Sequence, residues 1–323
     1  MNLTNNNKGV VLITVLLIIL LLSSIAVVIG NNYLISLKRA AYLEFQSSSL
    51  NIFKNIESLA IKKIDIELNF NTNKLSRSNP LLNNDLYFET EQGKVLAKII
   101  DSSNCFNINS LVLRNKKNYI ENKKSIEAFR KLMRMHSVDN NLIEEMIDQV
   151  IDWIDIDSEP RAFGLEDYYY TGPLHSPQEY TGKRLFFSVN ELKSLPSFRK
   201  ASWQLVKSNI CTKNNTELAL NINTLDLYDS LLLSSFYPNM SITDAENIID
   251  SIGQDGVENI DELKLLFPSI DLNLPYGLVG FSSTNFDLLT KVSQDNFYAS
   301  STSKIVYGNS KNSYIISRTY NGI

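Results

Sequence analysis

The sequence predicts an α+β chain: one apolar anchor helix running on into a small antiparallel sheet, with a large, mostly α-helical domain inserted between the strands. Three observations predict it. Val10 to Gly30 reads VVLITVLLIILLLSSIAVVIG, without a single charge. Strand-like segments with turn signals occur before residue 118 and again after residue 280. Between them, apolar residues recur at helical spacing.

The anchor carries only Thr14, Ser23 and Ser24 as polar side chains in 21 residues. As a helix it spans roughly 31 Å, the thickness of a bilayer's hydrocarbon core. A buried core helix would show a polar edge, yet the next charge after Lys8 is Lys38. The ending AVVIG before Asn31 could pass for a signal-peptide cleavage site, but the run exceeds the usual length of such a segment and flows into another helical pattern. Lys8 biases the N-terminus toward the cytoplasm and the remainder toward export.

From Lys38 to about Phe70 the helical period continues. Tyr42, Phe45, Ile52, Phe53, Ile56, Leu59, Ala60 and Ile64 form one stripe, with Glu44, Lys54, Glu57, Lys62 and Lys63 opposite. Asn71 to Pro80 is a polar loop, and strands are expected near Asp85–Glu89 and Lys94–Ile100 around the Gln92-Gly93 turn.

Helical patterns then follow through Ile126–Met133, Leu142–Ile154, Ser188–Leu195, Ser202–Lys207 and Leu225–Leu233, and another starts at Ser241 with Asp244 in its first turn. FSVNELKSLP at 187–196 echoes ENIDELKLLFP at 258–268, which suggests repeated helix-turn-helix-like pairs. The tail returns to strands, with Ser303–Tyr307 and Ser313–Arg318 flanking hairpin residues. Flanking strand material places the ends of the inserted block close together on the host sheet.

The densest chemistry lies at the end of the second helix of that block. Asp148 to Asp167 holds seven acids and one base. Asp155, Asp157, Glu159 and Glu166 fall at positions 1, 3, 5 and 12 of a calcium loop, although Pro160 stands where an EF-hand has glycine. Oxygen donors without nearby histidine or cysteine suit calcium and not zinc. A solvated acidic loop is the alternative. Against it, Trp153, Phe163 and Tyr168–Tyr170 would bury much of the segment and leave its carboxylates short of water.

Several of these segments carry a resemblance. Lys8-Gly9 before Val10-Val11-Leu12-Ile13-Thr14 resembles the leader of type IV pilins and type II secretion pseudopilins, with Thr14 where most carry glutamate. That departure, the segment Asp101–Leu111 with its Cys-Phe-Asn-Ile-Asn run, the stretch Asp152-Trp153-Ile154-Asp155-Ile156-Asp157 with its Pro-Arg, Gly-x-Glu-Asp and tyrosines, and Cys211 with Asn221-Ile222-Asn223-Thr224 are similar to the minor pseudopilin family called general secretion pathway protein K. The resemblance implies a pilin-like fold divided into a leader (1–9), a transmembrane helix (10–30), the helix and first strands (31–117), an inserted helical domain (118–279) and completing strands (280–323).

It also implies cleavage after Gly9 by a prepilin peptidase, a methylated Val10, and a single-pass inner-membrane protein with its bulk in the periplasm. Calcium in the helical domain follows as well, with Asp155, Asp157 and Glu166 the foremost ligand candidates and Asp152, Glu159 and Asp167 behind them. Cys105 and Cys211 are expected to form a disulfide in an oxidising compartment, the alternative being two buried thiols. The partners implied are other minor pseudopilins, the major pseudopilin and the inner-membrane secretion platform. Thr14, Phe45 and Ile56 are the residues expected to serve assembly, and the chain is expected once per fibre, at its tip.

Other classes fit less well. The net charge is -4 and no phosphate-binding glycine loop appears, so neither a nucleic-acid surface nor a nucleotide enzyme is indicated. His136 and His175 are the only histidines, with no partner spacing for a catalytic triad. A type IV minor pilin and an anchored periplasmic calcium-binding module are the remaining alternatives.

Overall fold

A computed structural model describes residues 7–70, 73–90, 93–308 and 310–322. Met1–Asn6 of the expected leader therefore lie outside the described residues. α1 (Asn7–Phe70) is one helix of 64 residues, and no proline interrupts it. Its surface is exposed from Val10 through Glu44, and burial begins at Phe45. The 14 residues after Gly30 thus form an exposed helical stalk, ~21 Å long, touched near its end where the Tyr42 ring meets Phe297 at 5.5 Å between centroids.

α2 (Pro80–Asn83), β1 (Leu86–Thr90) and β2 (Gly93–Asp101) follow. The chain then leaves the sheet through β3 (Phe106–Asn107), β4 (Val112–Asn115), β5 (Asn118–Glu121), α3 (Lys123–Met135), α4 (Asn140–Ile154), α5 (Asp167–Tyr170), α6 (Pro196–Lys200), α7 (Trp203–Asn209) and β6 (Ile210–Cys211). β7 (Ala219–Asn221), α8 (Ser230–Ser235), α9 (Ile242–Ile252), α10 (Ile260–Leu266) and β8 (Leu278–Gly280) complete the excursion. β9 (Asn285–Gln294), β10 (Phe297–Tyr307) and β11 (Ser313–Asn321) return to the sheet.

That sheet is antiparallel throughout, in the order β1-β2-β9-β10-β11. The excursion departs after Asp101, which pairs with Phe286, and ends before Asn285, whose O accepts from Ser102 N at 3.0 Å, so both ends lie side by side on adjacent strands. It is therefore wider than the expected 118–279. The reason is local: β3, β4 and β5 carry strand signals but pair outside the main sheet, a distinction that strand propensity cannot make.

Phe45, Ile52, Phe53, Ile56, Ala60 and Ile64 pack on Val95, Ala97, Phe286, Leu288 and Val292 of the sheet. Tyr42 and Leu59 fall outside this core, at 37% and 56% exposed. Glu57, expected on the polar side, faces inward instead. Its Oε1 accepts from Ser303 Oγ at 2.6 Å and from Arg318 Nε at 2.9 Å, a pairing that lets a carboxylate lie at 3% exposure.

The excursion is built twice from one plan, and the short sequence echo is its trace. Asn107-Ile108-Asn109 and Asn221-Ile222-Asn223 each end a short strand and open a 3₁₀ turn. In each, the first asparagine's Oδ1 accepts from the second one's backbone N, at 3.3 and 3.1 Å. Asn109 is a buried peg: Nδ2 donates to Phe186 O and Lys213 O, while Oδ1 accepts from Phe186 N. Asn223 repeats this with Val257 O, Phe281 O and Val257 N. Helices α3 and α4 in the first half answer to α8 and α9 in the second. Each half then closes with a short capped turn and a strand running parallel to its opening strand, β6 beside β3 and β8 beside β7.

Expected helices at Ser188–Leu195 and Leu225–Leu233 are shorter than drawn. Val189–Ser194 is 3₁₀ and stops at Pro196, while Leu227–Asp229 is a 3₁₀ turn leading into α8. The two cysteines are joined as expected, Cys105 to Cys211 with Cα atoms 5.7 Å apart, which fastens the opening strand of the first half to its closing strand. Asp101 ties this block to the sheet: Oδ2 accepts from Thr224 Oγ1 and Ser283 Oγ, and Oδ1 from Ser103 N.

Candidate metal centre

α4 ends by pointing carboxylates at its own C-terminus. Asp152 lies in the last turn and Asp155 is the C-cap, where the helix dipole is negative, and no basic residue occupies that turn. The chain then loops through Asp157 and returns at Glu166, the residue before α5. One oxygen from each of Asp155, Asp157 and Glu166 lies within 4.8 Å of the others. The three foremost ligand candidates are thus brought together.

The other three are not. Asp152 is fully buried and holds the loop: its Oδ2 accepts from Arg161 N at 3.0 Å. Glu159 donates its backbone N to Asp157 Oδ1, and its side chain stands outside the cluster. Asp167 is taken by Thr181, whose N and Oγ1 donate to its Oδ1, and by Lys183 Nζ at 3.6 Å from Oδ2. Gly164 makes this arrangement possible, since a Cβ there would lie 1.8 Å from Asp152 Oδ2.

The residues fit a hard cation. Both carboxylate oxygens of Glu166 and Oδ1 of Asp155 are buried without a hydrogen-bond partner. Such groups are costly to bury unpaired, and an oxygen-seeking cation would satisfy them together. Burial, then the neighbouring carboxylates, pushes Glu166 up to about 7 and Asp155 up to about 6. Asp152 is likewise pushed up to about 7, chiefly by burial. Aromatic packing wall off the site from behind: Trp153 lies 5.1 Å from Tyr170 and 5.9 Å from Phe186, centroid to centroid.

His175 takes a structural place nearby, buried with Nε2 2.6 Å from Glu179 Oε1. Sequence reading missed the pegs Asn109 and Asn223 and the first-half role of Phe186. The repeated Asn-Ile-Asn triplet was the available signal.

At the other end of the molecule Thr14 Oγ1 donates to Val11 O at 2.9 Å, within its own helix. Phe45 and Ile56 do not face outward. Each is 2% exposed and packed on its own sheet, because the stripe's apolar face is consumed by folding. The apolar residues that α1 leaves outward beyond the stalk are Leu59, Ile66 and Phe70.

A helix of anchor length and hydropathy continuing onto a small antiparallel sheet, with a bulky domain inserted between strands, defines a pilin-like single-anchor protein. The particular similarities are to protein K of type II secretion systems. Residues 104–214 match the family model described as Type II secretion system (T2SS), protein K. Type II secretion system protein K of Pectobacterium carotovorum subsp. carotovorum is 26% identical over 190 residues, 57% of this chain and 57% of that protein. The protein K of Aeromonas hydrophila is 27% identical over 179 residues, 53% of this chain and 54% of its own length. The chain thus spans about half the length of the curated relatives it matches. In three dimensions it matches a chain of the GspK-GspI-GspJ complex from the enterotoxigenic Escherichia coli Type 2 Secretion System, with a TM-score of 0.73 at 19% identity, over 88% of this chain and 99% of that one. The resemblance and the pilin-like fold read from the sequence are both borne out.

Proposed function

We propose that this chain is the minor pseudopilin at the tip of a type II secretion pseudopilus, where it starts assembly with other minor pseudopilins and supports secretion across the outer membrane. The observation that carries the reading is the excursion from Ser102 to Thr284, which hangs from the sheet at the end remote from the anchor. Stacked side by side along a thin fibre, such blocks would collide; placed once at the end, one has room. Thr14 fits the same place, since its hydroxyl is satisfied within its own helix and needs no neighbour's charge. The solved complex in which the structural relative sits with GspI and GspJ supports small minor pseudopilins as the partners.

In this reading prepilin peptidase cuts between Gly9 and Val10 on the cytoplasmic side, the new N-terminus is methylated, and α1 holds the subunit in the inner membrane. The major pseudopilin and the inner-membrane platform then act on it from below. The chain's role is structural, not catalytic. Asp155, Asp157 and Glu166 would hold calcium, which would neutralise the carboxylates at the C-terminus of α4 and fix the loop from Asp155 to Asp167. Its contribution is rigidity in the block that faces the outer membrane.

The test is N-terminal sequencing of protein made together with its peptidase, coupled to crosslinking from Leu59 in assembling cells. A start at Val10 and links to other minor pseudopilins are expected. Recovery of the chain as an abundant homopolymer along the fibre would overturn the tip assignment.

A further inference from the structure

The two halves of the inserted block act as each other's control. After its Asn-Ile-Asn peg the second half passes through Thr224 and Leu225 directly to the capping box of Asp226 and Asp229 and into α8. The first half passes through Ser110 and Leu111 and then adds the β4–β5 hairpin before α3 begins. The acidic loop is the other addition, because α9 is followed after a short turn by Val257, the counterpart of Phe186. Additions to a repeated scaffold are where function concentrates. These two touch: Arg161 Nη1 donates to Glu121 Oε2 at 3.1 Å, and Ile156 N to Asn118 Oδ1 at 3.3 Å.

The hairpin is strongly basic in a chain of net charge -4. Arg114, Lys116 and Lys117 sit exposed at its end, and Lys123 and Lys124 are exposed in the first turn of α3. Glu121 is the one acid from residue 112 to 124, and it is shared between Arg161 at 3.1 Å and Lys123 at 4.0 Å. The two lysines oppose the helix dipole, and α3 has no acid in its first turn and no side-chain cap. Asn122 turns its amide away to Ser110 O and Ser125 Oγ. The matching turn of the second half carries Asp226 and Asp229, the favourable sign. Arg114, Lys116 and Lys117 also crowd three like charges into four residues at the end of the hairpin, where they repel one another. Glu121 offsets only part of this charge, and a local arrangement that leaves like charges together and opposes the helix dipole points outward. Leu113 and Ile120 face each other across the hairpin, 43% and 45% exposed, and add an apolar contact beside the cations.

We propose that the β4–β5 hairpin and the first turn of α3 form a docking surface for an acidic segment of another protein, whose Asp and Glu side chains pair with Arg114, Lys116, Lys117, Lys123 and Lys124. A protein and not the lipid around the anchor is favoured by position. The block leaves the sheet at the end beside Asn69, which bonds Tyr307 and Lys311, about 40 residues and ~60 Å along α1 from the membrane-spanning run.

The test uses the full chain in detergent and a fluorescent ten-residue glutamate peptide as the probe. Binding should weaken steeply with added salt and fall about tenfold in R114S/K116S/K117S. K116R/K117R should bind as the parent does. K123E/K124E should bind more weakly yet melt higher, because it corrects the helix terminus; a purely structural role would not separate the two readouts. In assembling cells, a photoreactive residue at Ile120 should join the chain to a peptide rich in Asp and Glu. Unchanged peptide binding in the triple variant, binding indifferent to salt, or a join to lipid or to a peptide without acids would overturn the proposal.

Discussion

Asp152 and Gly164 depend on each other: the carboxylate occupies the space a side chain at 164 would need, and from there it holds Arg161 N and the shape of the loop. Gly164→Ala should therefore abolish most of the calcium-dependent rise in melting temperature without altering any of the three converging carboxylates. Asp157→Ala should lose the same increment more directly. At a calcium concentration about a hundredfold above Kd the increment corresponds to ~2.7 kcal/mol. Calorimetry with calcium and with chelator measures it, and equal melting temperatures in both would remove the metal from the account.

The pH dependence follows from the same carboxyls. Asp155, Asp152 and Glu166 are raised to about 6, 7 and 7, above the ordinary carboxylate range. Above these values they are charged whether the chain is folded or not, and the folded state carries the full penalty of burying them. As pH falls from about 7 toward about 4, protons bind the folded form first, so in chelator the chain should gain stability on acidification. In millimolar calcium the trend should reverse, since protons compete for the ligands. Melting curves at pH 7.5 and pH 5 under both conditions decide it; a chelated protein that weakens on acidification would contradict the assignment.

At the scale of elements, the duplication makes a quantitative forecast. The Cys105–Cys211 bridge closes a sequence separation of 106, and replacing both cysteines with serine should cost roughly 2–5 kcal/mol of stability. Aligning the pegs Asn107 and Asn221 puts Ala219 and Gly280 where the first half has its cysteines. A Cβ at Gly280 would meet Leu220 O at 3.5 Å, an ordinary contact. Ala219→Cys with Gly280→Cys should therefore form a second bridge in oxidised material. Peptide mapping without reductant checks this, and two free thiols there would show that the halves differ in strand register.

The wider molecule is a long lever with its working parts at one end. α1 gives a long helical anchor and stalk, the sheet buries the helix from Phe45 to Leu68, and the inserted block is clamped to the far end of the sheet through Asp101. Arg77 strengthens that clamp by donating to Gly253 O at 2.6 Å and Ile249 O at 3.2 Å, which caps α9 with a positive charge. Arg77→Ala should lower the melting temperature of the part beyond the apolar run by a few degrees, about 1–2 kcal/mol in the capping range, while leaving any calcium response intact. A shift in calcium affinity instead would mean that the two halves are coupled more tightly than this geometry provides.

Much of this was written in local chemistry. The anchor follows from an unbroken apolar run, the acidic loop from seven acids in twenty residues, and the cysteine pair from there being two, because each is a property of composition or short spacing. Periodicity also gave the stripe on α1, but Glu57 broke it, since only Ser303 and Arg318, some 250 residues away, make an inward carboxylate acceptable. The sequence by itself determined where the chain is long and apolar enough to cross a bilayer, where it is helical or extended, and where negative charge concentrates. The tertiary structure alone decided which three of six carboxylates converge, that Phe45 and Ile56 are spent on the chain's own core, and that one short echo belongs to a duplicated block. The reason is that convergence, burial and register depend on contacts between residues far apart in the chain, and no window of sequence carries those distances.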